Sequence, residues 1–71
     1  MKYIMVGFTY PVLFSNEIQH STEAAGRKCS SAGFVRIVDG KADVFGSSIS
    51  LGLEPQPEDA ALIDLLLKDK L

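Results

Sequence analysis

Residues 34–45 read Phe-Val-Arg-Ile-Val-Asp-Gly-Lys-Ala-Asp-Val-Phe, and the Asp39-Gly40 pair at their centre constrains the fold more than any other feature. A two-residue type I′ turn needs positive φ at both central positions, and its twist matches that of the strands it joins. Asp and Gly tolerate that conformation. Counting outward then fixes the register: Val38 faces Lys41, Ile37 faces Ala42, Arg36 faces Asp43, Val35 faces Val44 and Phe34 faces Phe45. One face of the predicted hairpin carries Val35, Ile37, Ala42 and Val44. The other carries Phe34, Phe45 and Val38, with Arg36 and Asp43 as a cross-strand ion pair of ~0.2 to 1 kcal/mol. Both faces are substantially apolar.

Downstream, Ser48-Ile49-Ser50-Leu51-Gly52-Leu53 alternates strictly and predicts a further strand with Ile49, Leu51 and Leu53 on one side. Pro55-Gln56-Pro57 ends it. Pro57 suits the first position of a helix, with Glu58 and Asp59 in the positive first turn and Lys68 and Lys70 at the negative end. Asp64 and Lys68 have the favourable i,i+4 order and mark the wet side. At 100° per residue, Leu62, Ile63, Leu65, Leu66 and Leu67 cover an arc of roughly 200°, about twice the stripe a helix buries against one partner. Upstream, Tyr3–Val6 and Pro11–Phe14 read as a hairpin, with Pro11 confining the second strand to an edge or to its own first residue. Residues 15–33 read as loop with one helical turn near Thr22–Ala25.

These elements make a single α+β domain over residues 1–71, a small antiparallel sheet of three to five strands with one C-terminal helix packed on a face. A chain this short buries only about 60% of its unfolded surface. Small domains compensate with disulfides, metals or self-association. Cys29 is the only cysteine and His20 the only histidine, so no disulfide and no metal site is expected. The wide helix and the hairpin with two apolar faces point to a homo-oligomer, a dimer first, through Leu62, Ile63, Leu65, Leu66, Leu67, Phe34 and Phe45. The competing arrangement folds the N-terminal hairpin and the long loop over the second face within one monomer.

A formal net charge of −2, with the cations scattered, argues against direct nucleic-acid binding. Tyr3–Phe14 has a superficial likeness to a signal peptide with Ala24-Ala25 as its cleavage region, but Gly7, Thr9 and Pro11 fit paired strands better. The segment is too short to span a bilayer, so no membrane partner is expected. A lone cysteine fits a reducing compartment, and the expected location is cytoplasmic.

Candidate chemistry concentrates in the loop. Gly26-Arg27-Lys28-Cys29-Ser30-Ser31-Ala32-Gly33 can cradle an anion through Arg27, Ser30 and Ser31, with His20 nearby, although the spacing matches no phosphate-loop or dinucleotide fingerprint. His20 has Glu17 and Glu23 at spacings of three, and Cys29 follows Arg27 and Lys28, which lower a thiol pKa. Nothing places a nucleophile beside His20, and a free cysteine commonly packs as a small hydrophobe. The reading is therefore of a protein without catalytic residues or cofactor.

Several stretches together resemble small uncharacterised proteins encoded by tailed phages and prophages. They are the opening Met-Lys-Tyr-Ile, Pro11-Val12-Leu13-Phe14, the His20 loop ending Ala25-Gly26, Ser31-Ala32-Gly33-Phe34, Gly46–Leu53 and Pro57-Glu58-Asp59. The resemblance spans most of the chain and rests on structural punctuation, so it assigns no site residue. It implies an accessory protein active in the host cytoplasm by stoichiometric binding, an inhibitor of an anti-phage defence component. The alternative it implies is a sponge that sequesters a small anionic or nucleotide signal at a subunit interface.

Overall fold

In a computed structural model, described over residues 1–69, the chain forms β1 (Lys2–Val6), β2 (Tyr10–Phe14), α1 (His20–Ala24), β3 (Cys29–Val38), β4 (Lys41–Phe45) and α2 (Asp59–Asp69). Lys70, assigned above to the helix end, lies outside the described residues. The strands make one four-stranded antiparallel sheet in the order β2-β1-β3-β4. The fold is α+β, with α2 on one face as expected.

The β3–β4 register is the one counted from the turn, Phe34 opposite Phe45 through to Val38 opposite Lys41. Asp39 and Gly40 adopt φ of 52° and 78°. Arg36 Nε meets Asp43 Oδ2 at 2.9 Å. The N-terminal hairpin also forms, and β2 with its Pro11 lies at an edge, where a residue without an N–H breaks no ladder.

Because side chains alternate along β1, the sheet carries a separate core on each face. Tyr3 and Met5 pack with Val35 and Ile63 under α2, flanked by Leu13, Ala42, Val44, Leu62 and Leu67. On the opposite face, Ile4 packs with Phe14, Ala24 and Ala32, covered by Leu51 and Leu53. The second face is therefore closed within the chain by α1 and the segment after β4. That removes the uncovered face from the grounds for self-association.

Four further expectations are corrected. Residues 48–53 are a turn, not a strand: Ser48 N donates to Leu53 O at 2.8 Å and Gly52 N to Ser48 O at 2.9 Å. Gly52 supplies the positive φ of 67° that closes it, and the Ser48 hydroxyl accepts from Leu51 N at 3.3 Å. Secondly, β3 begins at Cys29, so the last five residues of the supposed loop are central strand, paired with β1. Thirdly, α2 starts at Asp59 and Pro57 precedes it, since the Asp59 carboxylate accepts from Gln56 N at 2.9 Å and Leu62 N bonds to Glu58 O. Lastly, Asp64 is half-buried and turned to the sheet, where Oδ1 accepts from Ala42 N at 2.7 Å. That amide lies on the outer edge of β4, so the helix seals the edge.

Candidate functional site

The residues expected to cradle an anion do not converge. A bulge between Met5 and Val6 pairs Ser31 with Met5 and Cys29 with Val6, leaving Ser30 as the extra residue. Ser31 is fully buried, with its hydroxyl turned to the Tyr3 phenol in the core. Arg27 folds back on its own helix, donating to Glu23 O at 2.7 Å and Ala24 O at 3.1 Å, and its guanidinium lies 3.8 Å from the Glu23 carboxylate. Both carbonyls lie at the end of α1, the negative end of the helix, where a cation is favoured. Ser31 and Arg27 are thus withdrawn from the ligand set by burial and by prior engagement.

His20 is also a structural residue. It is buried between the rings of Phe14 and Phe34, edge-on to each at centroid distances of 5.5 and 5.6 Å, and its Nε2 lies 2.8 Å from Gly33 O. Only its edge reaches the surface, in a cleft shared with Gln19 and Lys2. The Lys2 ammonium is itself engaged, donating to Ile18 O at 2.8 Å. Cys29 is half-buried, and burial pushes its thiol up from the ordinary range, with Arg27 only partly offsetting this. A thiol held protonated is a poor nucleophile.

The assembly residues are dispersed as well. Ile63 is fully buried under the sheet and cannot meet a second chain without unfolding its own, whereas Leu65 on the outer side is 60% exposed. Phe34 and Phe45 stack on each other at 5.8 Å on the sheet face opposite α2. One flat interface cannot hold both the helix leucines and this pair.

The sequence reading missed a buried polar pair. The Tyr3 hydroxyl donates to Asp59 Oδ2 at 2.6 Å, with both residues essentially inaccessible. Burial, reinforced by the adjacent Asp59 carboxylate, raises the phenol far above its ordinary range. The pair fastens the start of α2 to the sheet. Its one sequence signal is that Tyr3 shares the inward face of β1 with Met5, and that signal does not name Asp59 as its partner.

What the surface presents to other molecules is the turn after β4. Ile49, expected on one strand face with Leu51 and Leu53, is 95% exposed at the tip of the hydrogen-bonded turn. Two open clefts flank it and share Ser47 and Ile49. The larger, about 500 Å³, is bounded by Ser30, Ser47, Glu54 and Gln56. The smaller, about 380 Å³, runs past His20, Phe34 and Ser50. Of the expected ligand residues, Ser30 and His20 therefore line neighbouring clefts while Arg27 and Ser31 line neither. Glu54 is the only charged residue in the larger cleft, which disfavours an anion there.

Among the described residues no group of three or more His, Cys, Asp or Glu side chains is placed to hold a metal ion, and no helix is long and apolar enough to cross a membrane. In comparisons with known proteins, no family model, no curated protein and no solved structure matches the chain.

Proposed function

We propose that this chain is a stoichiometric binding protein, working as a homo-oligomer and inhibiting a component of a host anti-phage defence. Ile49 carries the binding part of the reading. A large aliphatic side chain held in water at the tip of a rigid turn loses little conformational entropy when it enters a partner's pocket. The polar side chains of Ser47, Glu54 and Gln56 around it suit the polar rim of a protein contact. A non-catalytic role is supported by the burial of His20 and by the raised thiol of Cys29. The target class comes from the resemblance to phage-encoded proteins alone, and a cytoplasmic location from the lone cysteine.

The test compares affinity capture from host cells by the wild-type chain and by Ile49→Asp. A stable partner retained by the wild type and lost with Ile49→Asp supports the proposal; equal capture by both, or none, refutes it. The sponge reading draws on the volume of the larger cleft, about 500 Å³, but not on its charge. Thermal shift against cyclic and ADP-ribose-type nucleotides separates the two. A shift abolished by Ser30→Ala, with no protein captured, would favour the sponge.

A further inference from the structure

On the other side of the sheet, α2 leaves part of its face uncovered. An apolar depression of about 290 Å³ lies among Met1, Leu13, Ile37 and Leu67, and a second of about 240 Å³ lies between Leu66, Leu67 and the β2 residues Tyr10 to Leu13. Leu13 and Leu67 line both, so the depressions join into one trough. Ile37 and Tyr10, at its two ends, are 55% and 63% exposed.

We infer that this trough is covered by a second copy of the chain, in a two-fold symmetric dimer. The inference rests on the reading of a homo-oligomeric binding protein and specifies its assembly surface. A two-fold interface sets a patch against itself, so its centre must be free of unpaired charge and its rim must carry both signs. The trough meets both conditions. Among the described residues Arg36 is the only charged residue in its lining, and that guanidinium is paired with Asp43. Beyond Leu67 the rim carries Asp39 and Asp64 beside Lys41 and Lys68. Asp64 is committed to the Ala42 amide, which leaves Asp39 to face a lysine of the other copy.

Strand addition, the other common route to a small dimer, is closed at both ends of the sheet. Pro11 interrupts the donors of β2, and Asp64 occupies the outer amide of Ala42 on β4. The face opposite α2 already has its cover in α1 and residues 46–53. Contact between copies therefore falls to side chains on the α2 face, where the trough is the broad apolar surface among the described residues.

Light scattering on the full chain tests this. The wild type is expected at twice 7.7 kDa at micromolar concentration, and Ile37→Lys at 7.7 kDa with an unchanged circular dichroism spectrum. Lys41→Glu with Lys68→Glu makes the rim all acidic, and should weaken the dimer by about tenfold or more in a salt-relieved manner. A wild-type mass of 7.7 kDa at micromolar concentration overturns the inference, as does a dimer indifferent to both variants. Ile49→Asp should leave the dimer intact, so failure of the assembly surface and failure of the binding turn are read separately.

Discussion

Tyr3 shows how one side chain can tie helix to sheet. Its phenol has left water entirely and is left with the Asp59 carboxylate as its acceptor, at 2.6 Å. In Tyr3→Phe that carboxylate keeps Gln56 N but loses its charge-assisted donor, an expected cost of about 1–3 kcal/mol measured by urea unfolding. The same contact makes stability sensitive to alkali. The folded-state pKa of Tyr3 lies above the value of about 10 for an unfolded tyrosine. Its contribution is therefore complete below about pH 10 and declines as pH rises beyond that, because the unfolded chain gives up the proton first. Urea midpoints should fall above about pH 10 in the wild type and less steeply in Tyr3→Phe; parallel profiles would contradict the assignment.

The elements differ in how much of themselves the sequence discloses, and Asp64 shows why. On a helical wheel it marks the wet side, but the outer amide of Ala42 lies within its reach and has no other acceptor. Asp64→Leu should cost about 1–3 kcal/mol and open the β4 edge, so that the variant self-associates by strand pairing; size exclusion with thioflavin fluorescence reads this. A variant as soluble and stable as the wild type would show that the edge needs no seal. The β3–β4 hairpin was legible to the single residue because Asp39-Gly40 sets geometry locally. The 48–53 segment was not, since a turn closed by the Ser48 hydroxyl and by Gly52 keeps the same alternation of serine and leucine that a strand shows. Cys29–Gly33 read as loop because small residues have weak strand preference; their place in the centre of the sheet is imposed by β1. The candidate site was less legible still. Ser30 and His20 line neighbouring clefts, but Ile49 was placed on one strand face with Leu51 and Leu53, and only the fold turns it outward.

At the scale of the whole molecule, the accessible surface of 4649 Å² is close to the roughly 4,300 Å² expected of a folded monomer of this mass. The protomer therefore completes its own core before any assembly, and the stability of its parts can be probed within one chain. Its two apolar clusters lie on opposite faces of the sheet and share no residue, Tyr3, Met5, Val35 and Ile63 against Ile4, Phe14, Ala24 and Ala32. They communicate through the backbone of β1, β2 and β3. Ile63→Val on one face should cost about 0.5–1.5 kcal/mol by shedding a single methylene. Phe14→Leu on the other should also destabilise, through loss of its edge contact with His20. Sites without common partners add, so the double variant should equal the sum of the singles within about 0.5 kcal/mol. Unfolding should nonetheless remain a single transition, identical by circular dichroism and by tyrosine fluorescence, because neither helix has a sheet to dock on once β1 or β3 is lost. A coupling well beyond that sum would mean that strain crosses the sheet between the faces. Two separate transitions would mean that α2 with its cluster can leave while α1 and the 46–53 turn stay folded.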